Sequence, residues 1–430
     1  MFPIIRYARY TYEVTEVKSL LFLGRQPKLG LAELESLYGS DTVSLINDVV
    51  AATSLTADAI DFNRLGGSIK LADIIGTVDN TDWRKIERVL LKQVPMTADS
   101  LEEGKIQFGL SVYGNKVRLQ EIQATALRLK KAIRAKTNQS VRVTPNKEQA
   151  LSSAQVLHNH LTGPRGLEII LVEADGRTIV ARTVVEQDIE AYAKRDQNRP
   201  KRDARVGMLP PKLAQIIVNL AVTDTNPIYG GIVLDPFCGT GVVLQEATLM
   251  GFDVYGSDIE PRMVEYTDKN LMWLLNQPNC PVSRPPEYDN DSTWRYFSLE
   301  VGDATNHTWK YSRAKTSSVY AGIACEGYLG QPFNKFPSEE KLREVMNTCN
   351  QIMKGFLKNI AGQVESGTRF CVALPAWHRP NGKFEHLKLL DSLEELGYNR
   401  VSFVHVRDEE LLYYRPDQVV ARELLVITRK

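Results

Sequence analysis

Four acidic residues stand where apolar runs of the chain stop, each beside residues that bend the backbone. In GIVLDPFCGTGVVLQEA the apolar run ends at Asp235, turns through Gly239 and Gly241, and opens at once into a helical pattern. The unpaired N–H groups of that helix start then face whatever lies above the strand. DVYGSDIEP ends on Asp258 and Ile259, EVGDAT on Asp303 and Ala304, and ACEGYLGQPF on Glu326, Gly327 and Tyr328. Any one of these acids can serve simply as a helix N-cap. Three aspartates at successive strand ends point instead to one shared ligand, because a carboxylate forms strong charge-assisted hydrogen bonds to hydroxyl and amine donors. Cys238 has no histidine placed to activate it, which argues against a nucleophilic thiol.

The ligand is nucleotide-like, yet neither phosphate-binding pattern fits. Gly239, Gly241 and Leu244 lack the third glycine of a dinucleotide fingerprint, and no Gly-Lys-Ser/Thr follows as a P-loop requires. S-adenosylmethionine carries no phosphate. It needs close backbone at its amino-acid end, a carboxylate for its ribose diol, which Asp258 can supply, and an acceptor for its adenine amine, which Asp303 can supply. Tyr328, Phe333 and Trp377 are aromatic residues able to stack on a planar ring, each with an alternative as core or rim packing.

These residues need a sheet to hold them. From Lys212 on, helix and strand patterns alternate: LAQIIVNLAV, GIVLDPF, VVLQEATLMG, DVYGSDI, RMVEYTDKNLMWLL, then FSLEVGDAT, SSVYAGIACEGY, a helix from about Ser338 to Ile360, RFCVALPAW, a helix near His386 to Leu396, and strands in RVSFVHVR and RELLVITRK. Such alternation argues for an α/β, doubly wound parallel sheet with ligands at the carboxyl ends of its strands. Upstream, residues 1–100 read as small α/β units, with SIKLADIIGTV as a strand and a helix in TDWRKIERVLLKQV capped by Thr81. Residues 101–190 form a second module: strand KIQFGLSVYG, a helix with Ile122, Ala126, Leu129 and Ile133 inward, strand SVRVTPN, and a hairpin around Asp175 and Gly176. A linker at 191–211 and a catalytic domain at 212–430 complete the expected division. His158 to His160 read His-Asn-His, but they sit in a helical pattern without metal-ligand partners, so no nuclease and no metal site is expected.

The chain has 430 residues, 43% apolar and 24% charged, the composition of an ordinary globular protein. No apolar stretch reaches about 18 residues, and the start, MFPIIRYARYTYE, meets Arg6 and Arg9 before one can develop. Neither a membrane span nor a secretory signal is expected. Five scattered cysteines without a CxxC pair suit a reducing, cytoplasmic setting. The net charge of +1 hides an asymmetry: from Lys105 to Lys212 there are 20 Lys and Arg against 10 Asp and Glu, a balance of +10 that leaves −9 elsewhere. A polyanion partner for the middle of the chain follows, or else a solvated basic helix.

LDPFCGTG, SDIEPRMVEYTDKN and GDAT together resemble the class I methyltransferases that methylate exocyclic amines of nucleobases. RDQNRPKRDARVGMLPPKLAQIIVNLA (Arg195 to Ala221) resembles the segment before that fold in the THUMP-domain tRNA (guanine-N2-)-methyltransferases, which act at position 10 of tRNA in archaea and eukaryotes. The resemblance implies an N-terminal ferredoxin-like α+β domain, a basic THUMP module, and a C-terminal Rossmann-like methyltransferase sheet. It implies S-adenosylmethionine as cofactor, held by Asp235, Pro236, Cys238, Gly239, Gly241, Asp258, Ile259, Asp303 and Ala304, with Arg199, Pro200, Gly207, Met208 and Pro210 in the preceding motif. It implies tRNA as partner, its acceptor end gripped by the THUMP module through Lys130, Lys131, Arg134 and Arg142, with Arg199 also on the substrate. Some relatives use a small zinc protein as activator. The family ends its fourth strand in Asp-Pro-Pro-Tyr, where a side-chain oxygen and a carbonyl accept the amine protons and the ring stacks on the base; here Glu326, Gly327 and Tyr328 stand in that place. Two rivals remain at this level: a DNA amino-methyltransferase, and an RNA-binding protein with a degenerate catalytic domain.

Overall fold

The computed structural model describes residues 16–203, 208–222, 231–278, 280, 297–310, 320–333 and 335–430. The opening MFPIIRYARYTYE, Gly207 and most of the Pro- and Asn-rich insertion after Gln277 lie outside the described residues. The chain divides into two compact units, one of residues 1–63 and 67–191, the other of 64–66 and 192–430. No helix among the described residues is long and apolar enough to cross a membrane.

The first unit runs β1 (Ser19–Leu23), α1 (Pro27–Tyr38), β2 (Val43–Asn47), β3 (Val50–Thr53), β4 (Ser68–Val78), α2 (Trp83–Asp99), β5 (Ile106–Tyr113), α3 (Leu119–Thr137), β6 (Val141–Val143), α4 (Ser153–His158), β7 (Gly166–Ala174) and β8 (Arg177–Glu186). Its strands form one sheet in the order β2-β3-β1-β4-β8-β7-β5-β6. The expected boundary at residue 100 is therefore not a break between compact units. β4 pairs with β8 from Lys70 opposite Glu186 to Val78 opposite Thr178, and this ladder stitches the two expected modules into one sheet. Local patterning cannot reveal such a pairing.

Elsewhere in this unit local chemistry explains the elements. Ile122, Ala126, Leu129 and Ile133 form the buried stripe of α3, packed with Ile86, Leu90 and Val94 of α2. The N-cap of α2 is Asp82, whose carboxylate accepts from the Lys85 N–H at 3.1 Å, and not Thr81. Asp175 and Gly176 have φ of 47° and 75°, the left-handed pair of a tight hairpin joining β7 to β8. The His-Asn-His triplet spans the end of α4, where His160 turns left-handed at φ 52°. One buried ionic cluster crosses the sheet. Lys70 donates to both oxygens of Glu168 at 2.8 and 2.9 Å, which also accept from Ser111 and Thr183. This satisfies a charge pair that burial would otherwise penalise.

The second unit continues with α5 (Ile189–Gln197), α6 (Pro211–Ala221), β9 (Ile232–Asp235), α7 (Val242–Leu249), β10 (Asp253–Asp258), α8 (Pro261–Leu275), β11 (Phe297–Val301), β12 (Tyr320–Glu326), α9 (Glu339–Ile360), β13 (Arg369–His378), β14 (Phe384–Glu385), β15 (Tyr398–Arg400), β16 (Leu412–Tyr413) and β17 (Val420–Arg429). Its sheet order is β11-β10-β9-β12-β13-β17-β15, with β14 beside β13 and β16 beside β17. β11 through β13 are parallel, and β17 runs antiparallel to β13. This is the doubly wound α/β sheet expected from the alternation. α6 is buried almost all round on one face, whereas α9 closes the other over Ile323, Cys325, Val372 and Leu425.

Two expected elements differ. Residues 386–396 give only a short 3₁₀ turn, Lys388–Ser392, and RVSFVHVR contributes a strand that has already ended at Arg400. β17 offers its outer edge to β15 up to Arg400 opposite Ile427, then to β16 from Leu412 opposite Glu423. The stretch between bridges two short pairings.

Candidate active site at the carboxyl ends of the parallel strands

The chain order reverses between β9 and β12, which lie side by side while their following connections diverge. A crevice opens at such a switch point, outside the carboxyl ends of the strands. Here it is a cavity of about 890 Å³, lined among others by Asp203, Asp235, Asp258, Asp303, Glu326 and Tyr328. Asp235, Pro236, Cys238, Gly239, Asp258, Ile259, Asp303 and Ala304 line it, as expected for the cofactor, whereas Gly241 and, from the preceding motif, Arg199, Pro200, Met208 and Pro210 do not.

Gly239 and Gly241 carry the turn from β9 to α7, with φ of 52° and 79°. Both angles are costly for any side chain with a Cβ. The loop turns its carbonyls toward α8: Thr267 donates to Gly239 O at 2.8 Å, and Asn270 donates to Thr240 O at 2.8 Å. Gly241 thus acts through packing, since a Cβ there would lie 2.8 Å from Thr267 Cγ2. Gly241→Ala is expected to cost about 1–2 kcal/mol in left-handed strain, with crowding against Thr267 added. A urea midpoint equal to that of the wild type would remove this account of the loop.

Asp258 receives the N–H of Gly239 at 2.9 Å on one oxygen and that of Glu260 at 3.0 Å on the other. The Ile259 N–H also reaches this carboxylate, which with about four acceptor sites can still accept from a ribose hydroxyl. Burial raises its pKa, against the pull of those N–H groups. Asp235 is enclosed; burial, with the nearby carboxylates of Asp258 and Glu326, pushes its carboxyl well above the usual range, while the Phe237 N–H at 3.0 Å offsets part of this. Asp303 uses one oxygen to cap the turn after β11, accepting from the N–H and hydroxyl of Thr305 at 2.9 and 2.8 Å. Thr305 in turn packs against Gly355 of α9, where a Cβ would lie 3.0 Å from its methyl.

Glu326 ends β12 with its carboxylate in the cavity and an ion pair to Arg422 of β17. Burial raises its pKa, and Arg422 opposes that rise. Gly327 follows, its N–H donating to Ala373 O at 3.0 Å, and Tyr328 is 43% exposed at the cavity edge. Trp377 is fully buried in the core cluster that α9 helps to close, so it cannot stack on a substrate. Phe333 packs against the same core. Cys238 is buried and burial pushes its thiol up, the opposite of activation.

Lys130, Lys131, Arg134 and Arg142 all lie in the first unit, on or just after α3, with Lys131, Arg134 and Arg142 exposed. Arg199, expected at the substrate, is instead buried in the second unit and does not line the cavity. Its three guanidinium nitrogens have no hydrogen-bond partner among the described residues, and burial lowers its pKa. Sequence reasoning missed the contribution of α9, whose Gln351, Ile352 and Gly355 line the cavity. The one available signal was a glycine in mid-helix, which marks a close approach. It also missed Arg422, which carries no motif.

A family model described as DNA methylase matches residues 123–269. Over 65 residues the chain is 52% identical to the tRNA (guanine(10)-N2)-dimethyltransferase of Methanothermobacter thermautotrophicus, covering 15% of this chain and 18% of that protein. Over 113 residues it is 37% identical to the enzyme of the same name from Methanocaldococcus jannaschii, covering 26% and 30%. Among solved structures it is similar to TrmN from Thermus thermophilus, at 15% identity and a TM-score of 0.48, covering 96% of this chain and all of that one. The matched sequence thus spans less than a third of the length of these two dimethyltransferases.

Proposed function

We propose that the chain is an S-adenosylmethionine-dependent RNA methyltransferase, transferring a methyl group to the exocyclic N2 of a guanosine in tRNA, with position 10 the favoured site. The observation that carries this reading is the convergence of Asp235, Asp258, Asp303 and Glu326 on one cavity at the switch point. The residues fit the cofactor: Gly239 leaves room for its amino-acid end, Asp258 keeps acceptor capacity for the ribose, and Asp303 Oδ2, approached by Asn306 Nδ2 only at 3.5 Å, has a further lone pair for the adenine amine. When bound, the sulfonium supplies an activated methyl group. The protein's task is then alignment of amine and methyl, which can supply roughly 7–11 kcal/mol of the barrier. Glu326 would accept from the target amine, drawing its lone pair toward the methyl group, and Tyr328 would stack on the extruded base.

Residues 101–190, with their positive balance, are proposed as the THUMP-like RNA-binding part. Reversing Lys131 and Arg134 to Glu is expected to weaken tRNA binding and leave cofactor affinity alone. Each lost phosphate contact should reduce the salt slope by about 0.7 on a single strand. Trimming the CCA end is expected to slow methylation, because the module would measure distance from that end. Full activity on trimmed tRNA removes the ruler while leaving the basic surface in place.

Mass spectrometry of nucleosides from tRNA incubated with the protein and labelled cofactor tests the whole reading. Labelled N2-methylguanosine or its dimethyl form is the expected product. Label in duplex DNA and none in tRNA would favour a DNA amino-methyltransferase; cofactor binding with no product on either would favour a degenerate domain.

A further inference from the structure

Glu326 stands at the end of β12, in register with Ala373 of β13, while Arg422 of β17 is in register with Pro375, two residues further along β13. Directly paired residues share a face of the sheet, so Glu326, Ala373, Pro375 and Arg422 all lie on one side. The strand between the two charges presents only small or uncharged side chains. Arg422 crosses it and donates Nε–H to Glu326 Oε1. Both side chains are largely buried, at 10% and 15% exposure, a burial shared in the second unit by the Arg195–Glu246 pair, which lies away from the cavity lining. Glu326 Oε2 has no hydrogen-bond partner among the described residues and belongs to a side chain that lines the cavity.

We propose that Arg422 is a positioning residue: it holds one oxygen of Glu326 so that the other is presented to the cavity as a fixed acceptor. A glutamate has one more rotatable bond than an aspartate, and a second-strand cation removes that freedom. The groups facing Glu326 are Arg422 from β17, Asp235 from β9, and the adjacent thiol of Cys325. Asp235 and the thiol cannot replace the cation, because a carboxyl and a thiol are neutral or negative and never positive. The proposal rests on the reading of Glu326 as the amine acceptor, and its consequences separate from that reading.

With Arg422→Met, the carboxyl of Glu326, followed by carbon-13 NMR of labelled glutamate, should titrate at least one pH unit higher than in the wild type. This readout needs no activity. In a wild type that methylates tRNA, the acid limb of the rate profile should move up with it, with cofactor affinity within about twofold of the wild type. Arg422→Lys keeps the charge and should hold the titration near the wild-type position. The sharpest test is the pair with Glu326→Gln. Arg422 requires an acceptor, so it captures the amide oxygen and turns the amide NH₂, a donor, toward the substrate. Removing Arg422 in that background frees the amide to rotate and should raise the rate several-fold above Glu326→Gln alone. An unchanged Glu326 titration in Arg422→Met overturns the proposal, as does a further loss of rate in the double variant. If the wild type makes no methylated nucleoside, the functional reading fails and the titration still decides the role of Arg422.

Discussion

Asp258→Ala is expected to weaken binding of S-adenosylhomocysteine roughly ten- to a hundred-fold. A hydrogen bond to a charged group contributes about 1.5–3 kcal/mol, and each 1.4 kcal/mol is tenfold in affinity. The side chain has a second task, since it receives the Gly239 and Glu260 N–H groups and so ties the glycine turn to the start of α8. Asp258→Asn removes the charge and, with its single acceptor oxygen, keeps only one of these two N–H bonds. Affinity should therefore fall in the order wild type, Asn, Ala. Burial raises the pKa of this carboxyl, so protonation removes acceptor capacity at a less acidic pH than for a free aspartate. Cofactor affinity should then decline as pH falls through that raised value. Calorimetric titration showing equal affinity for wild type and Asp258→Ala would place the ribose elsewhere.

Glu326→Ala is expected to lower the methylation rate by about a hundredfold or more while leaving cofactor affinity within a few-fold. Loss of a preorganised group at the reacting atoms typically costs 10²–10³ in rate. From sequence alone Glu326→Gln keeps an acceptor oxygen and should retain more activity than the alanine variant. The ion pair to Arg422 changes that expectation. The arginine has only donors to offer, so the amide presents NH₂ to the substrate, and the glutamine variant should be nearly as impaired as the alanine one. Single-turnover rates on tRNA at saturating cofactor check both. A wild-type rate in Glu326→Ala would mean that carbonyls around Gly327 suffice and that the carboxylate is not the acceptor.

Much of the site was legible because its determinants are local. A strand that ends in an acid, a two-glycine turn and an immediate helix are contiguous, and the φ angles of Gly239 and Gly241 follow from the turn those residues must make. The stripe of α3 and the hairpin at Asp175 and Gly176 were readable for the same reason, since periods of 3.6 and 2 are set by backbone geometry. Stacking by Trp377 and substrate contact by Arg199 were not sound readings. Burial depends on what packs opposite, and nothing near either residue in the chain announces the core cluster around Trp377 or the enclosure of Arg199.

By itself, the sequence determined most of the elements, the helix expected near 386–396 and the strand expected over RVSFVHVR excepted, because propensity, caps and turn chemistry act over a few residues. It also determined that the acids at 235, 258 and 303 would share one edge, because parallel strands in a doubly wound sheet place all their carboxyl ends together. Only the tertiary structure decided the partners of charges in the interior. Lys70 meets Glu168 98 residues away, and Arg422 meets Glu326 across 96. Both pairs depend on strand order and on the register of a neighbour, and a slip of one residue would turn either partner to the opposite face. The union of residues 19–186 into one sheet has the same origin. The ladder between β4 and β8 is a choice of partner among many strands of similar pattern, settled by which arrangement buries their apolar faces together.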